Sequence, residues 1–161
     1  MNNYHIYDEI GKGQYSTVYK GRKKKSVEYL AIKSVEKCRR KKILNEVRIM
    51  HNLDHENIMK FFNWYETRNH LWIILEYCAG GSLATLIEQD TKLPEHAVRA
   101  FSFDIMKALY YLHSHGIIFG DLKPSNVLFT EYGTCKLADF GLAKRVTEIA
   151  QESKRGTPFY M

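Results

Sequence analysis

Asp121-Leu122-Lys123-Pro124-Ser125-Asn126 is the most informative stretch of this 161-residue chain, and Asp139-Phe140-Gly141 follows it closely. The first segment places an acid, a base and an amide on one loop. The second places another carboxylate on a turn that a glycine makes flexible. Asp and Asn beside Pro or Gly are also typical of ordinary turns. The chemical interpretation therefore depends on what precedes these segments in the chain.

A glycine-rich segment lies near the N-terminus. It reads Ile10-Gly11-Lys12-Gly13-Gln14-Tyr15-Ser16-Thr17-Val18 and joins two stretches that alternate like strands, Tyr4–Ile10 and Thr17–Lys20. Glycines at the tip of a hairpin let backbone amides approach phosphate oxygens that a Cβ would keep away. Such a loop alone is weak evidence, because most isolated examples are ordinary turns.

A lysine and a glutamate come next in positions that suit an ion pair. Leu30-Ala31-Ile32-Lys33 is an apolar strand ending in a lone lysine, and a helix is predicted from Lys41 to Leu53. The helix has an apolar face made by Ile43, Val47 and Met50. Glu46 lies close to that face and is the predicted partner of Lys33. By default both side chains would be solvated, and an exposed pair would contribute little stability.

Two further elements complete the outline. Leu71 to Leu75 is a buried-strand-like run that leads into Glu76-Tyr77-Cys78-Ala79-Gly80-Gly81. A strand that runs into two glycines suits a hinge between two lobes, where backbone groups can bond the edge of an adenine. A long helix is predicted from Pro94 to Gly116. Its expected core residues are Val98, Phe101, Ile105, Leu109 and Leu112.

The chain resembles the eukaryotic protein kinase family over nearly its whole length. The resemblance rests on seven motifs in one order: the glycine loop, Ala31-Ile32-Lys33, Glu46, the hinge, Asp121 to Asn126, Asp139-Phe140-Gly141, and Gly156-Thr157-Pro158-Phe159-Tyr160. Lys123 in Asp-Leu-Lys-Pro is similar to the serine/threonine form. Trp64 to Trp72, with Gly80-Gly81-Ser82-Leu83, is similar to the Unc-51-like and Fused group and to its partly degenerate fourth member.

The resemblance implies an α+β fold with two lobes. We expect an antiparallel sheet and one helix in a small lobe, residues 1–76, then a hinge at 77–81. A mainly helical large lobe would occupy 82–161 and stop before the Ala-Pro-Glu segment of the family, so 1–161 would be a partial kinase domain. The implied activity is transfer of the γ-phosphoryl group of ATP to serine or threonine of a protein substrate.

The resemblance also implies the site residues. Asp121 would orient the substrate hydroxyl, and Lys123 would neutralise charge on the transferred group. Asn126 and Asp139 would hold Mg²⁺, while Glu46 would orient Lys33 against the phosphates. The full set expected to bind ATP is Ile10, Gly11, Lys12, Gly13, Gln14, Tyr15, Ser16, Val18, Ala31, Lys33, Glu46, Glu76, Cys78 and Leu128.

Two departures from the family pattern support a rival interpretation, an ATP-binding pseudokinase scaffold with weak or no phosphoryl transfer. Ser16 stands where the family has a third glycine, and Phe119-Gly120 replaces His-Arg before Asp121. The missing arginine normally receives an activation-loop phosphate, which Gly120 cannot do. Phe119 can replace the packing of the missing histidine but not its hydrogen bond. Thr157 matches the threonine that packs against the catalytic aspartate and lysine.

Composition bounds the remaining classes. A net charge of +6 and two basic clusters, Arg22–Lys25 and Arg39–Lys42, raise the question of nucleic acid. Solvated surface is the first explanation of both clusters and docking of an acidic partner the second, and no nucleic acid is predicted. Three widely spaced cysteines support neither a disulfide framework nor a zinc site. No apolar run approaches the ~20 residues of a membrane span, so we expect a cytoplasmic protein without membrane contact.

Overall fold

The computed structural model describes residues 3–151, which form two compact units. The first unit comprises the described residues up to Asn52 together with Lys60–Tyr77, and the second comprises Leu53–Met59 together with the described residues from Cys78 onward. The motif Gly156–Tyr160, with Thr157, lies outside the described residues. Within residues 3–151, no helix has the length and apolar character needed to cross a membrane.

The first unit contains a five-stranded antiparallel sheet. Its strands are β1 (Tyr4–Gly13), β2 (Ser16–Lys23), β3 (Tyr29–Glu36), β4 (Phe61–Glu66) and β5 (His70–Glu76). Their order in the sheet is β1-β2-β3-β5-β4. A 3₁₀ turn, Lys37–Arg39, precedes helix α1 (Arg40–Met50). The helix is therefore shorter at its C-terminal end than the predicted Lys41–Leu53.

The apolar residues of these elements form the core of the first unit. The fully buried members of the sheet are Ile32, Leu71, Ile73 and Ile74. The buried apolar face of α1 is made by Ile43, Val47, Ile49 and Met50. Each such side chain contributes roughly 1.5–3 kcal/mol when it leaves water. This burial fixes the position of α1 on the sheet, and with it the position of the Glu46 side chain.

The second unit combines two helices with short hairpins. Helix α2 (Leu83–Asp90) begins at Ser82, whose Oγ accepts a hydrogen bond from the Thr85 amide at 3.1 Å. Helix α3 (Glu95–Ser114) follows Pro94. The strands are β6 (Ile117–Ile118), β7 (Val127–Phe129), β8 (Cys135–Leu137) and β9 (Lys144–Arg145). They form two antiparallel pairs, β6 with β9 and β7 with β8.

Residues 53–59 group with the second unit, although they precede β4 in the chain. The side-chain Nδ2 of Asn57 donates to the Cys135 carbonyl at 2.9 Å. The Met59 amide donates to the Leu137 carbonyl at 2.9 Å. These bonds to β8 hold the segment in the second unit, a pairing that the order of elements along the chain does not reveal.

The expectation that all five apolar residues of α3 belong to the core is wrong in part. Leu112 is fully buried, and so is Ala108, which is not among the five expected residues. Phe101, Ile105 and Leu109 are half-buried, and Val98 is 38% exposed. Helical spacing shows which residues share a face but not which elements cover it. Strands β6 and β8 pack on α3, and Asp104 accepts the Cys135 amide at 3.2 Å.

Candidate active site

The glycine-rich segment is the hairpin between β1 and β2. Gly13 pairs with Ser16, so Gln14 and Tyr15 alone form the tip. A Cβ on Gly13 would lie 2.9 Å from Ser16 Oγ, so a larger residue there would require the Ser16 hydroxyl to move. Ser16 has an ordinary negative φ and needs no glycine. Most of the loop is open to solvent, the exposed members being Ile10, Lys12, Gly13, Gln14 and Tyr15.

Lys33 and Glu46 form the ion pair expected from the sequence. Lys33 Nζ lies 2.8 Å from Glu46 Oε1, and the side chains are 14% and 2% exposed. Glu46 is buried because it shares the packed face of α1, and a buried carboxylate requires a partner. Register places Val18 opposite Lys33, and Ala31 lies two residues before Lys33 on β3. Val18, Ala31 and Lys33 therefore share one face of the sheet.

The remaining residues predicted to bind ATP are Glu76 in the first unit and Cys78 and Leu128 in the second. In the first unit, Glu76 ends β5, and its Oε2 accepts the Lys60 amide at 3.1 Å. In the second, Cys78 is half-buried and Leu128 lies half-buried on β7. Leu128 forms an antiparallel bridge with Ser82 at the start of α2.

Asp121, Lys123 and Asn126 form one connected network in the second unit. Lys123 Nζ lies 2.8 Å from Asp121 Oδ2. Asn126 Nδ2 donates to the Asp121 carbonyl at 2.9 Å and to Asp121 Oδ2 at 3.0 Å. Asp121 and Asn126 are 8% and 6% exposed. These contacts fix the rotamer of the buried Asp121 carboxylate. They use the Nδ2 group of Asn126, so Oδ1 remains as the acceptor of the Asn126 side chain.

The β7–β8 hairpin carries the chain from Asn126 to Asp139. The Ala138 amide donates to the Asn126 carbonyl at 2.9 Å, which ties the end of β8 to the segment Asp121–Asn126. Asp139 has φ 63° and ψ 79°, a left-handed conformation that Asp tolerates better than most residues. Its side chain is exposed, while the next residue, Phe140, is buried.

The structure accommodates the departure Phe119-Gly120. The rings of Phe119 and Phe140 pack edge to face with centroids 5.1 Å apart, so Phe119 supplies the packing expected of it. Gly120 has φ +79°, and a Cβ there would lie 2.8 Å from the Leu142 carbonyl oxygen. A glycine therefore fits this backbone where a larger residue would be strained.

One contact to the glycine loop was not predicted. The Arg39 guanidinium stacks on the Tyr15 ring, with Cζ 4.0 Å from the ring centroid. The two residues are distant in sequence, and a run of basic residues does not indicate which member contacts a ring. No local signal in the sequence could have identified this pair.

Residues 4–161 match the family model described as the protein kinase domain. The chain belongs to the protein kinase family. It is 57% identical to the serine/threonine-protein kinase RUNKEL of Arabidopsis thaliana over the whole chain. It is 47% identical to the serine/threonine-protein kinase ULK4 of mouse over 94% of the chain, and 39% identical to mouse serine/threonine-protein kinase 36 over the whole chain.

These comparisons confirm the predicted family, its α+β kinase fold and the likeness to the Unc-51-like group. The chain spans only 12% of the length of RUNKEL and of ULK4. The activity, substrate and partners of the whole protein are therefore matters of proposal.

Proposed function

We propose that this domain binds ATP with Mg²⁺ and transfers the γ-phosphoryl group to serine or threonine hydroxyls of a protein substrate. The observation that carries the proposal is the Asp121–Lys123–Asn126 network, with contacts of 2.8 to 3.0 Å. The Lys33–Glu46 pair supports it, as do the relatives named serine/threonine-protein kinases. A chain that had lost phosphoryl transfer would not need to keep these contacts.

The residues divide the chemistry between them. Asp121 would accept a hydrogen bond from the substrate hydroxyl and take its proton, and Asn126 would keep the carboxylate in one rotamer. The Lys123 ammonium would stabilise negative charge on the transferred phosphoryl group. Lys33 would bind the phosphates of ATP, held in place by Glu46.

The donor set suits magnesium. Mg²⁺ prefers oxygen ligands and is usually held by one or two protein groups together with substrate phosphates. Asn126 offers an amide oxygen and Asp139 a carboxylate on an exposed turn. The Mg²⁺ ion would neutralise negative charge on the phosphates of ATP. The backbone amides of Gly11 and Gly13 would contact the phosphates without interference from a Cβ.

The pseudokinase scaffold remains the alternative, and the two departures that favour it are Ser16 and Phe119-Gly120. Both fit the fold without loss of the catalytic contacts, because Ser16 lies in a regular strand pair and Phe119 packs on Phe140. That accommodation supports the enzyme over the scaffold.

Two variants of the full-length protein test the proposal. Asp121→Asn should keep ATP affinity but lower the rate of phosphoryl transfer about 10²–10⁴-fold, because the proton acceptor is lost. Asp139→Asn should weaken ATP binding in magnesium and have little effect with chelator. Calorimetric titration with ATP and transfer of labelled phosphate to a protein substrate provide the measurements. ATP binding without any transfer by the unaltered protein would favour the scaffold, and equal binding with chelator would refute the metal assignment.

We further propose that an acidic segment of a substrate or partner docks at Arg22–Lys25. Lys23, Lys24 and Lys25 are exposed, and none makes an ion pair within residues 3–151. The second basic cluster differs, because its neighbour Lys37 and its member Arg40 bind Glu66.

The three free cysteines suit a reducing cytoplasmic setting.

Charge reversal tests the docking surface. Lys23→Glu with Lys24→Glu should raise the KM for a protein substrate with an acidic segment and leave kcat unchanged. Lys41→Glu with Lys42→Glu is the matched control, with the same change of charge on α1. Equal effects of the two pairs on KM would indicate that the substrate responds to the net charge of the protein and not to a docking site at Arg22–Lys25. Loss of binding to single-stranded RNA, with no change in KM, would favour nucleic acid instead.

A further inference from the structure

The tip of the glycine-rich hairpin makes two contacts with the segment that precedes α1. The Arg39 guanidinium lies over the Tyr15 ring, with Cζ 4.0 Å from the centroid. The Glu36 amide donates to the Tyr15 carbonyl at 3.2 Å. One contact uses side chains and the other uses the backbone, and both hold the same tip residue.

The segment that holds Tyr15 is itself anchored from another direction. Lys37 Nζ lies 2.8 Å from Glu66 Oε1 at the end of β4, and Arg40 Nε lies 3.5 Å from Glu66 Oε2. The pKa of the Glu66 carboxyl is lowered, chiefly because Lys37 donates a hydrogen bond to it, and this favours the charged carboxylate. The segment Lys37–Arg40 is thus bound both to the end of β4 and to the loop tip.

This arrangement links the loop to the helix that carries Glu46. Arg39 ends the 3₁₀ turn, and α1 begins at the next residue. Glu46 in turn bonds Lys33. We propose that Arg39 is a positioning residue that holds the glycine-rich loop, through Tyr15, in the orientation that receives ATP phosphates. The inference rests on the proposed function, because the role of the loop is assigned there.

The expected effect follows from loop ordering. A two-residue tip that is exposed on most sides loses conformational freedom when nucleotide binds, and that loss reduces affinity. Stacking by Arg39 removes part of the freedom beforehand. The planar guanidinium matches the ring face, whereas a lysine ammonium is a point charge on a flexible stem. The contact uses the ring face of Tyr15, with Arg39 Cζ 4.0 Å from the centroid, so Arg39→Ala and Tyr15→Leu both remove it.

A double-mutant cycle in the full-length protein tests the inference. Arg39→Ala and Tyr15→Leu should each weaken ATP binding about two- to fivefold, as expected for a cation–π contact at an exposed site. The double variant should bind ATP no more weakly than the weaker of the two single variants. Arg39→Lys should be intermediate. Lys41→Ala is the control, since it removes the same charge from a neighbouring exposed position.

Hydrogen exchange of residues 11–16 without nucleotide supplies a second readout. Arg39→Ala should speed exchange of these amides, and Lys41→Ala should not. Additive losses of affinity, tighter binding in Arg39→Ala or unchanged exchange would each overturn the inference. If the unaltered protein fails to bind ATP, the proposed function fails, and the exchange measurement still decides whether Arg39 holds the loop.

Discussion

Gly120 is the departure from the kinase pattern whose cause lies in the backbone itself. Gly133 offers a matched comparison, because its φ of +81° is nearly that of Gly120 but nothing lies within 4 Å of an added Cβ. Gly133→Ala should cost about 1 kcal/mol, the usual penalty of a left-handed conformation. Gly120→Ala should cost at least about 1 kcal/mol more, since the new methyl meets the Leu142 carbonyl. Chemical denaturation measures both, and equal costs would show that the clash is relieved.

Cys135 differs from the other two cysteines in its environment. Burial, with a smaller contribution from Asp104, raises the pKa of the Cys135 thiol to about 12. Cys38 is exposed and Cys78 is partly exposed. Because the thiolate is the reactive form, a disulfide reagent near pH 8 should modify Cys38 and Cys78 first and reach Cys135 only on unfolding. Three equal rates would contradict the burial.

The same shift predicts a loss of stability in alkali. The pKa of the Cys135 thiol rises from 9.0 to about 12 on folding. Above pH 9 the unfolded state releases a proton that the folded state keeps, so the free energy of unfolding falls from there to about pH 12. Below pH 9 the contribution is fully present. Cys135→Ala should flatten this slope in denaturation measured at several pH values, and an unchanged slope would assign it to other groups.

The Lys33–Glu46 and Lys37–Glu66 ion pairs differ in burial, and we expect burial to decide how much each contributes to stability. Glu46 is 2% exposed, whereas Glu66 is 29% exposed. Glu46→Gln leaves the Lys33 charge largely buried and should approach the lower end of the roughly 3–5 kcal/mol known for broken buried pairs. Glu66→Gln, the control at an open pair, should change stability little. Unfolding by denaturant compares them, and equal losses would show that burial does not decide the cost.

A paired replacement separates stability from function at the same helix. Lys33→Met with Glu46→Leu should recover most of the stability that Glu46→Gln loses, because apolar residues can replace a buried ion pair. ATP binding should still be lost. Recovery of both would show that Lys33 does not contact the nucleotide.

The sequence predicts elements better than the contacts between them. Glu46 could be matched to Lys33 because helical spacing and strand order are local patterns. The contact of Arg39 with Tyr15 could not be predicted, since it depends on how the hairpin folds over the segment before α1. Gly120 is visible in the sequence, but its positive φ and the nearby Leu142 carbonyl are not. The prediction that Val98 belongs to the core fails because spacing does not show what covers a helix.

Across the whole molecule, helix α3 has apolar surface on two sides. Ala108 and Leu112 are buried within the second unit, while Phe103, Met106 and Tyr110 are 57%, 59% and 79% exposed. These three residues lie three and four positions apart, so they form one exposed face. A helix that is apolar on two sides normally packs on both, and an exposed face of this kind promotes association.

The polypeptide 1–161, expressed alone, should therefore self-associate through this face of α3. Met106→Lys with Tyr110→Lys should reduce the association, seen by sedimentation or light scattering, without changing ATP affinity, because neither residue belongs to the proposed nucleotide site. The matched control is Val27→Lys with Tyr132→Lys, two apolar side chains that are 89% and 87% exposed elsewhere. Equal improvement by both pairs would attribute the effect to net charge. In the full-length protein the α3 pair should lower stability if other sequence covers this face, and unchanged stability there would mean that the face stays open.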